Sequence, residues 1–158
     1  MRTFTRARFF PTAIFVLLVA AVFAYSGNDQ VGSRDATNPD YNTDLNFAQV
    51  EYVKVTEVSE DVWRFDVTVR HNDEGWEHYA DAWQVIDPSS GEILGERILA
   101  HPHDNEQPFT RSQSGIAIPK TLTRVLVRAK CSIHGFGGRE ILVELSRKEG
   151  DGYQVQKQ

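Results

Sequence analysis

The chain has 158 residues and one cysteine, Cys131. An internal disulfide, the usual staple of small exported domains, is therefore excluded. The only methionine is Met1, so no thioether is available further along the chain. No apolar run reaches the roughly 20 residues that a membrane helix needs. No segment keeps a long 3.6-residue period, which excludes a helical bundle. Phosphate loops, dinucleotide fingerprints, nucleophile elbows and paired-carboxylate motifs are all missing. Positive charge is in the minority, with 17 Lys and Arg against 22 Asp and Glu and a net charge of −5. Such a balance disfavours nucleic acid or an anionic membrane surface as partner.

What is present starts with an address. "MRTFTRAR" carries Arg2, Arg6 and Arg8 and no acid, and the 16-residue run "FFPTAIFVLLVAAVFA" follows. A basic region, a short apolar region and small residues behind it form a secretory signal. Ala24 and Ser26 suit a cut before Gly27, and Val22 with Ala24 suits one before Tyr25. No cysteine follows the run, which excludes a lipoprotein-type cut. The alternative is an uncleaved anchor, the one case in which the protein would stay on the membrane. Either way the remainder is expected outside the cytoplasm, periplasmic or secreted. Removing the segment with its three arginines takes the charge from −5 to −8.

The expected organisation is a signal segment over 1–26, a polar flexible lead over 27–45, a β domain over 46–146 and a flexible tail over 147–158. Inside the domain the apolar period is two. "VWRFDVTVR" puts Trp63, Phe65, Val67 and Val69 on one face. "RVLVRAKC" turns Val125, Val127, Ala129 and Cys131 inward, and "ILVEL" does the same with Ile141, Val143 and Leu145. "VEYVKVTEV" changes parity between Tyr52 and Val53, which a bulge near Tyr52 would explain. Turns such as "DPSSG" and "HGFGG" punctuate these runs. Seven strands follow, at roughly 47–58, 62–71, 78–87, 92–100, 108–118, 123–132 and 139–146. The pattern is that of an all-β, immunoglobulin-like sandwich, with Trp83 in the third strand as its buried aromatic.

If successive strands alternate in direction, the loops carrying His71, His78, His101, His103 and His134 fall at one pole, with Cys131 close by. "HPH" (101–103) is the leading pair. Proline keeps the residue before it extended, and in an extended segment residues i and i+2 face the same way. Imidazole is a ligand for zinc, copper, nickel and iron, and a zinc site needs three or four donors. His101 and His103 come first, then His78 and His134, with Asp81 as ligand or supporting carboxylate and His71 in reserve. Asp81 shares parity with Trp83, so it is expected to point inward and to need a partner such as Arg111. Trp76 and Tyr79 are placed near the same pole.

"CSIHGFGG" (131–138) resembles the Cys-x-x-His loop of the blue-copper proteins, the cupredoxins, which also lies between the last two strands of a β-sandwich. That resemblance implies a Cys131 thiolate and a His134 imidazole on copper, with His78 or His71 as the second histidine. It departs from the family where an axial methionine is expected, since Gly138-Arg139 stands there. "HYADAW … HPHDNEQPFTRS … IHGFGG" resembles a group of small exported bacterial β-sandwich proteins. That likeness implies export and one compact domain and brings no activity with it.

Three functional readings follow. In the first, the histidine pole binds a divalent transition metal, copper or zinc, for handling or delivery. In the second, the histidines are structural and the pole docks a periplasmic or membrane protein partner without metal. A metallohydrolase ranks last, because no general base stands out.

Overall fold

The structure, a computed structural model, describes residues 43–157. The expected signal segment (1–26) and nearly all of the expected lead (27–45) lie outside the described residues. The strands are β1 (Gln49–Ser59), β2 (Val62–Arg70), β3 (Ala80–Ile86), β4 (Ile93–Ile98), β5 (Phe109–Ala117), β6 (Arg124–Cys131), β7 (Gly135–Phe136), β8 (Ile141–Glu144), β9 (Glu149–Gly150) and β10 (Tyr153–Gln156). They form two sheets. One runs β5-β2-β1-β10-β9; the other runs β4-β3-β6, with β7 and β8 sharing the far edge of β6. The fold is an all-β sandwich.

The alternation that defines the strands also builds the core. Val53, Val55, Phe65, Val67 and Val69 from the first sheet meet Trp83, Val85, Val125, Val127, Ala129 and Val143 from the second. The parity change in β1 is a register shift against β2 between Val50 and Tyr52. It leaves Tyr52 exposed while Val50 and Val53 are both fully buried. An extra residue in one strand lets both valines face the core without breaking the ladder further along.

The expected flexible tail is not a tail. Residues 149–156 fold back as β9 and β10, and β10 pairs with β1 in parallel, Val53 opposite Tyr153 and Val55 opposite Val155. Tyr153 and Val155 are buried in the core. The turn that makes this possible is Asp151-Gly152, with Gly152 at φ 73°. Asp-Gly is a strong hairpin signal. Its polar surroundings hid it, because only two apolar residues follow.

Replacing Tyr153 by Ala should lower stability by about 3 kcal/mol, as for other buried aromatic residues. A urea denaturation midpoint measures this. No shift in the midpoint would return residues 149–156 to the status of a loose tail.

Candidate metal centre

Three inward-facing stripes end at the same pole. In β2 the sequence of inward residues Val67, Val69 continues past the strand to His71 and Asp73. At the start of β3, His78 shares parity with Ala80. In β6 the stripe Val125, Val127, Ala129 ends on Cys131. Because β2 belongs to one sheet and β3 and β6 to the other, the three ends meet between the sheets, where the apolar core stops. His71, His78 and Cys131 are 1%, 5% and 2% exposed. One ligand nitrogen from each ring and the sulfur lie within 4.8 Å of one another.

Each donor is held from behind. His71 Nδ1 donates to Asp73 Oδ1 at 2.6 Å, and its Nε2 faces the Asn46 carbonyl oxygen at 3.1 Å. His78 Nδ1 faces Glu74 Oε2 at 3.4 Å, while its Nε2 is buried with no hydrogen-bond partner among the described residues. The Cys131 thiol donates to the same Asn46 oxygen at 3.3 Å and accepts the His134 N–H at 3.2 Å. His134 Nδ1 is 3.6 Å from the sulfur, and its ring lies edge-on to His78 with centroids 4.9 Å apart. His71 and His78 are likewise edge-on at 4.7 Å. His134 alone of the four is exposed.

Asp73 organises the neighbourhood. Its Oδ1 also accepts the Ala80 N–H at 3.1 Å, and its Oδ2 accepts the His103 N–H at 2.6 Å. Burial pushes the Asp73 carboxyl up, but the hydrogen bonds from His71, His103 and Ala80 outweigh it and hold the group below the ordinary carboxylate value. A charged carboxylate in that position is stable only because several donors converge on it.

The sequence-predicted residues separate into two sets. His78 and His134 join the group, together with His71 and Cys131. His101 and His103 do not. His101 is exposed and its Nδ1 contacts the neighbouring Pro102 carbonyl at 2.9 Å. His103 is buried and stacks on Phe109, with ring centroids 3.8 Å apart and planes 9° from parallel. Both His103 ring nitrogens lack hydrogen-bond partners among the described residues. Burial, with the charges of Arg111 and His101 behind it, lowers the His103 pKa.

Asp81 is also outside the group. The register of β3 against β6 slips between Ala80 and Ala82, so Asp81 sits in a bulge. The bulge breaks the parity that would have turned it inward. Its Oδ2 accepts from Lys130 Nζ at 2.6 Å. The expected Arg111 partner bonds Glu106 instead, at 2.5 Å. Trp76 and Tyr79 are at the pole as expected, edge-on at 6.0 Å, and Trp76 is 68% exposed. Alternation alone carried the signal for His71 and Cys131, since both extend inward stripes.

No family model matches the chain. A protein of Halomicrobium mukohataei named "Putative lipoprotein" is 38% identical over 117 residues, which is 72% of this chain. The chain spans 57% of that relative's length. Among solved structures, superoxide reductase (neelaredoxin) from Archaeoglobus fulgidus, in a reduced variant form, covers 61% of this chain and 86% of its own, with a TM-score of 0.41 and 13% identity. Superoxide reductase (1Fe-SOR) from Giardia intestinalis covers 61% of this chain and 99% of its own, with a TM-score of 0.37 and 17% identity.

Two outcomes test the geometry of this pole. Asp73→Ala strips the partner from a buried imidazole and from two N–H groups, and should cost about 3 kcal/mol or more. Calorimetric or denaturant unfolding measures it, and a loss under 1 kcal/mol would remove Asp73 from its central place. His103 has a folded pKa below its unfolded value of about 6.5. Its contribution is therefore complete above that value and is lost as pH falls through the lower, folded pKa. His103→Phe, which keeps the stack on Phe109, should flatten the fall in unfolding midpoint between neutral and mildly acidic pH. An unchanged slope would mean that another group carries it.

Proposed function

We propose that the domain is an exported metal-handling protein in which His71, His78, Cys131 and His134 hold one transition-metal ion. The observation that carries the reading is the buried, unpartnered Nε2 of His78 beside a second imidazole and a thiol, with one ligand atom of each within 4.8 Å. An imidazole nitrogen left without a hydrogen-bond partner in the interior costs about 1–3 kcal/mol, and a metal ion removes that cost. The surroundings suit an ion. The Asp73 carboxylate behind His71 is the support that metal-binding histidines commonly have. The backbone N–H of His134 points at the Cys131 sulfur at 3.2 Å and helps to fix where that sulfur sits.

The donor set is mixed, three imidazoles and one thiolate. It suits copper and zinc, with iron as the next metal that such ligands accept. Charge supports a cation: a coordinating cysteine is a thiolate, and the carboxylates of Asp73 and Glu74 stand behind His71 and His78. When bound, the ion supplies an exchangeable coordination site or a redox couple according to its identity. Handling or delivery fits the asymmetry of the ligands. Three are buried, while His134 stands at the surface, where a receiving site could replace it.

Export is supported by the basic and apolar N-terminal sequence and by the lipoprotein name of the Halomicrobium relative. The only cysteine of this chain lies inside the domain, at position 131. A second reading, a metal-free docking module, is favoured by Trp76 and by Ile133, which is 61% exposed. The two stand on adjoining loops, tied by the Ser132 N–H to the Tyr79 carbonyl at 2.9 Å.

Metal content and affinity decide between them. Protein loaded with copper, zinc or iron and then desalted should retain one ion per chain by mass spectrometry. His71→Ala, His78→Ala and Cys131→Ser should each weaken binding by about a hundredfold in competition with a chelator. The double variant His101→Ala with His103→Ala should stay within a few-fold of the parent. Absence of uptake for all three metals would leave the docking module. Loss confined to the double variant would move the site to the 101–103 loop.

A further inference from the structure

We propose that the main-chain carbonyl of Asn46 is a further donor to this metal, so that occupancy of the centre fastens the segment 44–47 across it. The inference rests on the metal reading above and adds to it a ligand from outside the histidine and cysteine set.

Two contacts carry it. His71 Nε2 is 3.1 Å and Cys131 Sγ 3.3 Å from the same Asn46 oxygen. Both are ligand-type atoms of the proposed centre, so an ion held between them lies beside the same oxygen. A cation there is an electropositive partner for the carbonyl, and backbone oxygen is an accepted weak donor at sites built from histidine and cysteine. The alternative is that the segment lifts away.

The segment is built to keep the oxygen where it is. The Phe47 N–H donates to the Asp44 carbonyl at 3.0 Å, and the Asn46 N–H to Asp44 Oδ1 at 3.0 Å. The Asn72 N–H reaches the Leu45 carbonyl at 2.9 Å, which fixes the segment to the loop between His71 and Asp73. Gln49 Nε2 bonds the carbonyls of Asp44 and Phe47 at 3.1 and 2.9 Å. The Phe47 ring lies against His134, centroids 5.2 Å apart. Gly138 allows the loop after β7 to approach so closely that a Cβ there would collide with the Ala48 carbonyl. Tethered on both sides in this way, the carbonyl loses less by coordinating than the segment would lose by leaving.

Hydrogen exchange on the full domain, metal-free and zinc-loaded, tests the proposal, with zinc content measured on the same samples. Amides of residues 45–49 and of Asn72 should exchange at least about tenfold more slowly when loaded, beyond any slowing at Tyr153–Gln156 in β10. In cobalt(II)-loaded protein, the carbonyl carbon of Asn46 should show a contact-shifted resonance. Faster or unchanged exchange over 45–49, or an Asn46 carbonyl without a contact shift, would overturn it. A chain that takes up neither metal sinks the metal reading as well, and the metal content separates that failure from the others.

Discussion

The pole of this sandwich depends on one buried charge. Asp73 lies where an apolar residue would continue the β2 stripe, and taking a carboxylate out of water there is costly. It is tolerated because three donors converge on it: the His71 ring and the N–H groups of Ala80 and His103. Those donors come from three parts of the chain. Asp73 thus sets the orientation of His71, fixes the start of β3 and pulls in the loop that ends on Phe109. The stack of His103 on Phe109 depends on that tether, since it brings the ring over the end of the core.

The same alternation that packs the core supplies the site. Two sheets facing each other at about 10 Å leave an open end where inward side chains no longer find a partner sheet above them. Inward positions there are enclosed but have no apolar partner opposite. His71, His78 and Cys131 occupy three such positions. The result is a buried polar cluster that extends stripes from both sheets: Cys131 ends β6, His71 stands just past β2 and His78 two residues before β3. His134 differs because it sits in the tight β6–β7 turn, beyond the end of an inward stripe.

Much of the fold was legible because it rests on period-two patterning. All seven expected strands are present, and the parity change at Tyr52 marks a bulge. β10 was not legible: a four-residue strand with two apolar positions is too short to rise above a polar background, and only its pairing with β1 reveals it. The pole was legible as a gathering of histidines, but its membership was not. "HPH" pointed to His101 and His103 because local extension was assumed to govern where both rings face. In the fold, Asp73 captures the His103 backbone and Phe109 captures its ring, which leaves His101 in solvent. Asp81 was misplaced by a one-residue slip, which moves a side chain from one face to the other. His71 and Cys131 could have been weighted higher, since both continue inward stripes, whereas the 101–103 pair continues none.

The cluster's polar atoms are mostly satisfied inside the domain itself. His71 turns one ring nitrogen to the Asp73 carboxylate and the other to the Asn46 carbonyl, and the Cys131 sulfur faces the same carbonyl. His78 Nε2 is the exception, buried with no hydrogen-bond partner among the described residues. The apolar core of the two sheets lies below this cluster and does not pass through it. In the proposed reading that separation is what suits a carrier: the ligands are held by the sandwich, and the sandwich is held by its own core.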